Sequence, residues 1–457
     1  MAKAKETGTK RILDRVLKDI KPTPAEIQQT TSKVNELMGL LGTIVPRNVE
    51  LRVAGSIARG TNLRGSGDID IFMLFNKGMP RDAIVKLGLQ YAKKAATVKK
   101  GSYEVKYAEH PYVRLYLDSI GMRVDVVPAL KIDNIDEMGT TVDRTPMHTE
   151  FINRSLSSRQ RDEVRLLKCF MRSHGIYGAE IKINGFSGYL CELLVHHYGS
   201  LHGVLKAASA FKLPVVIKPL SRNESNDGEI AKKFNSSFVV IDPVDSDRNV
   251  AAGVSIESLG RLTIAARQFL YHPSASAFHD PKPCDGPAAV AIRKFASSAG
   301  LETFLFSCKV PDKSEDVVYP QLRKVGQQIV RHLQGNGFAV FNGMPFMYRN
   351  FGYIFLLAPG QRIKSRLLKG PDIFLANATL QFEKKHTKAY GFTVSGSSIY
   401  VLEGSRYLSV EETLRKLPKR MLKHKDIDLS SARLLVNRIP AHVAPQLYKE
   451  ITKKFTI

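Results

Sequence analysis

Asp68 and Asp70 are spaced for shared chemistry. The stretch Asp68-Ile69-Asp70-Ile71-Phe72-Met73-Leu74 reads as a strand, and residues two apart on a strand face the same way, so both carboxylates project together. Two like charges at that spacing repel. In an otherwise apolar strand they are costly unless a cation lies between them, and a pair of divalent ions is the usual solution in phosphoryl-transfer chemistry. A third carboxylate is expected from a neighbouring strand, and Arg123-Val124-Asp125-Val126-Val127-Pro128 supplies Asp125, isolated among β-branched residues. A plainer account of the same residues has Asp68 and Asp70 beginning a surface strand, with Asp125 in a buried ion pair with Arg123 or Arg114.

Gly55-Ser56, twelve residues before Asp68, tips the balance toward the metal-binding account. Glycine stands where backbone must bend or let a ligand approach. Ser56 can open a short helical turn whose free N–H groups and hydroxyl suit a nucleotide phosphate, and Arg59 would share its face. Other residues are ambiguous by themselves. His148 alone reads as a structural histidine, Tyr177 as a half-buried packing residue. Arg161, Arg165, Lys168 and Arg172 make a basic stripe on one helix face, which on residue evidence alone is a solvated face.

The elements that must position these groups follow from periodicity. Residues 1 to about 149 mix helix, as at Ala25 to Leu41, with strands at Asp68 to Leu74, Val105 to Leu117 and Arg123 to Pro128. From Arg159 helices take over: RQRDEVRLLKCFMRSHG stops at Gly175, and Ser187 caps GYLCELLVHHYG, which ends at Gly199. FVVIDPVDSDRNVAAG reads as a buried strand running into a loop, after which Ser255 caps another helix; residues 272–287, rich in Pro, Ser and Gly, read as a linker. Short strands and helices return beyond it. Between Gln361 and Lys425 fourteen Lys or Arg face five Asp or Glu, a candidate polyanion-binding surface or a set of solvated helix faces.

A chain of 457 residues is too long for one core, so about three domains are expected. No run approaches the roughly 18 apolar residues of a membrane span, and the first ten residues lack the apolar stretch of a signal peptide. A cytoplasmic protein is expected. Cys169, Cys191, Cys284 and Cys308 are scattered, which argues against a zinc cluster or disulfide framework and reads as small buried hydrophobes. The net charge of +25 points to nucleic acid, unless the lysines serve only solubility in a salty or hot cytoplasm.

The run VAGSIARGTNLRGSGDIDIFMLF resembles the head domain of the polymerase-β-like nucleotidyltransferases. YAEHPYV at 107–113, VDVVP at 124–128, DRTPMH at 143–148, EVRLLK at 163–168, HGIYGAE at 174–180, GFSGYLCELL at 185–194 and DPVDSDRNVAA at 242–252 narrow the resemblance to the archaeal, class I, CCA-adding enzymes. The matches are collinear over more than half the chain and thin out past residue 290, where YPQL at 319–322 is the clearest.

The resemblance implies an α/β head (1–149), a helical neck (150–282) and a mixed α+β body and tail that binds tRNA (283–457). It implies addition of C, C and A to the tRNA 3′ end from CTP and ATP, without a nucleic-acid template and with release of pyrophosphate. Asp68, Asp70 and Asp125 would hold two Mg2+ ions, with Asp125 near the hydroxyl proton. Ser56 and Arg59 would bind the triphosphate, His148, Lys168 and Tyr177 would complete the nucleotide site, and Arg248 would read the incoming base. A homodimer gripping the acceptor and T arms is also implied. Tyr107 and His110 either stack on the RNA 3′ end or fill the sheet. One departure is Asp68, where archaeal members often carry Glu. A poly(A) or oligo(U) polymerase, a small-molecule nucleotidyltransferase and a noncatalytic RNA-binding relative are the competing readings.

Overall fold

The computed structural model describes residues 2–106, 111–118, 120–220, 226–280, 286–430 and 432–455. It divides into two compact units, Met1–Ala179 with Ile183–Asp280, and Pro281–Thr456 with Glu180–Lys182.

The first unit opens with α1 (Ala2–Ile20) and α2 (Pro24–Ile44), the latter started by a Thr23–Glu26 capping box and Pro24. A five-stranded sheet follows, with β1 (Glu50–Ala54), the short turn α3 (Gly55–Ala58), β2 (Ile69–Phe75), α4 (Arg81–Val98), β3 (Ser102–Lys106), β4 (Tyr112–Leu117) and β5 (Met122–Leu130). Its order is β1-β2-β5-β4-β3, with β2 and β5 parallel and the other pairings antiparallel. Alternation divides the strands between two environments. Ile69, Ile71, Met73 and Phe75 of β2, with Val124 and Val126 of β5, pack into one core beside Leu37, Leu41, Ala92 and Ala95 of the helices. Phe72, Leu74, Val127 and Ala129 line the opposite face, and period-two geometry puts Asp70 and Asp125 there with them. The stretch read as one strand from Val105 to Leu117 is two antiparallel strands, pairing Val105 with Val113; Tyr107 and His110 lie outside the described residues.

A second core in the same unit is helical. It is built by α5 (Thr145–Ser155), α6 (Ser158–Ser173), α7 (Gly188–Tyr198), α8 (Leu201–Ser209), the strand β6 (Val215–Ile217), the peripheral α9 (Asp227–Lys233), β7 (Phe238–Asp242), β8 (Asp245–Asn249) and α10 (Ile256–Tyr271). Ser187 caps α7 by accepting from the Leu190 N–H, Gly199 ends it in the left-handed region, and Ser255 caps α10. Three features depart from the sequence reading. Helix α1 packs Val16 into this helical core rather than into the head. The loop expected after the buried strand is a hairpin, β7 turning into β8. The expected linker begins as packed structure: Phe278 is buried in the helical core, and its carbonyl faces Cys169 Sγ at 3.0 Å. Pro and Ser density signals a turn, and here the turn is covered by aromatic neighbours Phe170 and Phe269.

The second unit centres on a sheet whose strands alternate between two cores. Phe304, Phe306, Ile354 and Leu356 face the helix Glu315–Gly335, while Leu305, Phe355 and Leu357 face Ala288–Ser298 and Ala444–Phe455. A separate three-stranded sheet runs Ser365–Asp372, Ser398–Gly404, Gly391–Ser395, with the helix Ala376–Lys385 beside it. Cys169, Cys191 and Cys308 are free and buried, and Cys284 lies outside the described residues. No helix among the described residues is long and apolar enough to cross a membrane.

Candidate active site

Asp70 and Asp125 are direct register partners on the parallel strands β2 and β5, and Asp68 stands one residue before β2. The Asp70 side chain makes no hydrogen bond or ion pair among the described residues, and burial, with the neighbouring charges of Asp125 and Asp68, pushes its carboxyl up to about 7. Its position depends on Gly55. That residue has φ +72°, and a Cβ there would lie 1.8 Å from Asp70 Oδ2, so the turn after β1 must be glycine for the carboxylate to fit. The ion pair considered for Asp125 also exists: Arg114 on β4 donates Nε and Nη2 to its two oxygens at 2.7 and 2.6 Å. Arg123 Nε lies 2.9 Å from Asp68 Oδ1. The ion-pair account of Asp125 is therefore seen in the structure, because a buried carboxylate takes whatever cation is near. With two carboxylates turned to arginines, no group of three His, Cys, Asp or Glu side chains among the described residues is gathered closely enough to hold a metal ion.

The glycine turn is clamped from the helical core. Ser56 is half-buried at the start of α3, and its carbonyl accepts from the Thr61 N–H at 2.9 Å. Arg59 is buried, with Nε 2.9 Å from Glu192 Oε2; the two atoms lack aligned hydrogen bonds, so this is a charge contact. Lys168, 1% exposed, donates to the Thr61 carbonyl and hydroxyl at 3.1 and 3.0 Å and lies 3.4 Å from Glu192 Oε1. Burial raises the Glu192 carboxyl, but Arg59 and Lys168 outweigh it and hold it below its usual range. Burial pushes the Lys168 ammonium the opposite way to Glu192, and burial prevails, lowering its pKa. A Cβ on Gly188 would sit 3.3 Å from the Tyr177 hydroxyl and 3.5 Å from Lys168 Nζ, which puts both groups at the start of α7. The basic stripe on α6 is not a solvated face. Arg165, 5% exposed, donates to the carbonyls of Asn62 and Gly60 at 2.9 and 2.6 Å.

Helix α5 links this turn to a third cluster. Thr149 Oγ1 accepts from Arg59 Nη1 at 3.4 Å, and the adjacent His148 stacks on Tyr189 with ring centroids 4.1 Å apart. Asp242 receives His148 Nε2 at 2.9 Å, the Tyr189 hydroxyl at 2.9 Å and Arg248 Nη1 at 2.7 Å. Burial lowers the His148 pKa despite Asp242, so the ring is neutral at pH 7 and Nε2–H is the donor. Burial opposes ionisation of Asp242, but the hydrogen bonds from His148, Arg248 and the Val244 N–H bring its carboxyl down to about 2.

Three family models match consecutive segments: a nucleotidyltransferase domain at residues 34–153, the second domain of tRNA nucleotidyltransferase at 162–279, and the C-terminal domain of CCA-adding enzyme at 300–431. The CCA-adding enzyme of Methanocaldococcus jannaschii is 36% identical over 393 residues, 83% of this chain and 84% of that relative. That of Methanothermobacter thermautotrophicus is 34% identical over 424 residues, 91% and 90% of the two chains. The chain belongs to the CCA-adding enzymes. Among solved structures, the Cid1 poly(U) polymerase bound to MgGTP has a TM-score of 0.50 at 17% identity, covering 60% of this chain and 99% of that one. The likeness is one of fold, and it is the polymerase-β-like nucleotidyltransferase fold expected from the glycine turn and its aspartates.

For a CCA-adding enzyme, the expected site residues fall in one unit, in an acid cluster, a clamped turn and a guanidinium cluster. Sequence reasoning missed Glu192, Asp242, Thr61 and Tyr189. A signal was present for two of them: Glu192 stands alone in the apolar run LCELLV, and Asp242 ends the apolar run FVVI. Each is a lone carboxylate with no visible partner, the feature that singled out Asp125.

Proposed function

We propose that the chain builds or restores the 3′-terminal CCA of tRNA from CTP and ATP, releasing pyrophosphate and using no nucleic-acid template. The observation that carries the chemistry is the register pairing of Asp70 with Asp125 on the face of the sheet that carries Phe72 and Val127, next to the Gly55-Ser56 turn. The substrates come from the family to which the chain belongs.

The donor chemistry of the acid cluster suits a divalent cation once Asp68 and Asp125 turn from Arg123 and Arg114 toward it. The half-buried Asp70 carboxyl has no partner among the described residues, and desolvation together with two neighbouring carboxylates pushes it toward its protonated form, which is the state a cation relieves. Asp68, Asp70 and Asp125 would hold it, and bound Mg2+ would supply charge neutralisation on the triphosphate and acidification of the attacking hydroxyl. In the reaction the RNA 3′ oxygen bonds to the α-phosphorus, the bond to pyrophosphate breaks and the hydroxyl proton leaves. Arg114 takes one acceptor direction on each oxygen of Asp125, and a second direction on each is left for that proton. Ser56 and Arg59 grip phosphate oxygens, while His148, Lys168 and Tyr177 complete the pocket, Arg59 held by Glu192, Lys168 by Thr61 and Glu192, and His148 by Asp242 and Tyr189. Arg248 reads the base. The exposed Lys and Arg of residues 361–425 engage tRNA phosphates in the acceptor and T arms. A homodimer follows from the resemblance alone, and sedimentation measures it.

The test is direct. A tRNA lacking its CCA is incubated with Mg2+ and CTP, ATP, UTP and GTP, singly and together, and the 3′ ends are sequenced. Ends extended by C, C, A and no further support the proposal; long homopolymer tails or no addition overturn it.

A further inference from the structure

Asp242 has no ligand role in the reading above, yet its side chain is wholly buried at the end of β7. Oδ2 accepts from Arg248 Nη1 and His148 Nε2, and Oδ1 from the Tyr189 hydroxyl and the Val244 N–H at 3.1 Å. A carboxylate offers about four acceptor directions, and this chain's own donors take all of them. Asp242 therefore holds its neighbours and binds nothing else.

What it holds is a guanidinium with spare donors. Arg248 is tethered through Nη1 and is 30% exposed, and its Nε and Nη2 make no hydrogen bond among the described residues. The tether is stiff. Asp242 sits opposite Asp245 in the β7–β8 hairpin, and Asp245 is pinned by Arg144 at 2.7 Å. On the other side the stacked rings of His148 and Tyr189 both donate to Asp242 and close off rotation of its carboxylate. A guanidinium edge presents only donors. Held at a fixed angle, it matches the ring-nitrogen acceptors of cytosine and adenine and opposes the ring N–H of uracil and guanine. A swinging guanidinium finds an acceptor on any base, a ring nitrogen or, on cytosine, uracil and guanine, a carbonyl.

We propose that Asp242 is the positioning residue for nucleotide choice, fixing the angle of Arg248, with Tyr189 locking the Asp242 carboxylate. This rests on the reading of Arg248 as the base-selecting side chain. Asp242→Asn keeps the size, removes the charge and places an amide donor against one of the existing donors. It should lower the ratio of CTP to UTP incorporation by roughly five- to a hundred-fold, the range of one lost base-edge pairing. Tyr189→Phe keeps the stack, removes one hydrogen bond, and should lower the same ratio by a smaller factor.

The experiment measures single-turnover incorporation of CTP and UTP, with KM and kcat for each, on a tRNA ending just before its first C. It compares wild type, Asp242→Asn, Tyr189→Phe, Arg248→Ala and the Asp242→Asn/Arg248→Ala double variant. The expected result is a reduced ratio in Asp242→Asn that adds nothing in the Arg248→Ala background. A wild-type ratio in both Asp242→Asn and Tyr189→Phe, with a reduced ratio in Arg248→Ala, overturns the proposal and leaves base reading by Arg248 standing. Additive effects in the double variant, or equal losses for CTP and UTP, also overturn it. An unchanged ratio in Arg248→Ala removes the base-reading assignment and the positioning role with it. If Asp242→Asn does not fold, Tyr189→Phe with its own Arg248→Ala double variant decides the question in the same way.

Discussion

Replacing Glu192 with Gln changes one atom and strands two cations. Glu192 is fully buried between Arg59 and Lys168, themselves nearly inaccessible, so the cluster carries a net charge of +1 that becomes +2 in the variant. Gln keeps an acceptor for the Thr61 hydroxyl, which now approaches Oε1 at 2.5 Å, so the perturbation is chiefly electrostatic. Removing one partner of a buried ion pair costs about 3 to 5 kcal/mol. With a melting shift of roughly 2 to 4 °C per kcal/mol for a large domain, the expected drop is about 6 to 20 °C at pH 7. The loss should shrink as pH rises. In the variant, burial holds the Lys168 pKa below its unfolded value, so the unfolded state binds the extra proton and stability climbs between the two pKa values. Lys168→Met combined with Glu192→Gln restores the net charge to +1 and should recover more than half of the loss. Thermal unfolding of the full chain, followed by circular dichroism from pH 6.5 to 9.5, measures all three effects. A drop under 2 °C for Glu192→Gln, or a double variant less stable than the single one, would refute the view that Glu192 is the counter-ion of the clamped turn.

Gly55→Ala forces a side chain into the left-handed region and against Asp70 Oδ2; a displacement of an ångström at the reacting groups should cut single-turnover addition by about a hundredfold, and filter binding should show tRNA affinity unchanged. Asp125→Ala should abolish addition, and residual activity above a few per cent of wild type would count against its assignment. The folded pKa of Asp70 lies above its unfolded value of 3.8, at about 7, so its stabilising effect is full in acid and lost as pH rises through that window. In chelator, the melting temperature of the protein should therefore fall relative to Asp70→Asn between pH 4 and 7, and parallel curves would contradict the shift. In the second unit Arg415 and Lys416 pair with Glu411 and Glu412 one turn away, whereas Lys384, Lys385, Lys419 and Arg420 are exposed and make no ion pair among the described residues. Changing these four to Ala should flatten the slope of log tRNA affinity against log salt by about 0.7 to 0.9 per lost contact; an identical slope would place tRNA elsewhere.

The chain's local chemistry was legible wherever one segment carries the whole instruction. Alternation in β2 sends Asp70 to the face opposite Ile69 and Ile71, Gly55 is demanded by its own backbone angle, and Ser187, Gly199 and Ser255 bound their helices by hydrogen bonds that span only a few residues. Those outcomes follow from periodicity and capping, which act along the chain. Periodicity names a face without saying what covers it. Helix α1 looks equally suited to either core, and only packing sends Val16 into the helical one. The α6 stripe has the spacing of a solvated face, but the carbonyls of Gly60 and Asn62 arrive from a hundred residues away to receive Arg165. The pairing of Asp70 with Asp125, the choice of Arg114 as the counter-charge to Asp125, and the convergence of Arg59 and Lys168 on Glu192 all join segments distant in sequence. A buried charge announces in sequence that it needs a partner, because burial without one is too costly; which partner it finds is decided by the fold that brings them within 3 Å.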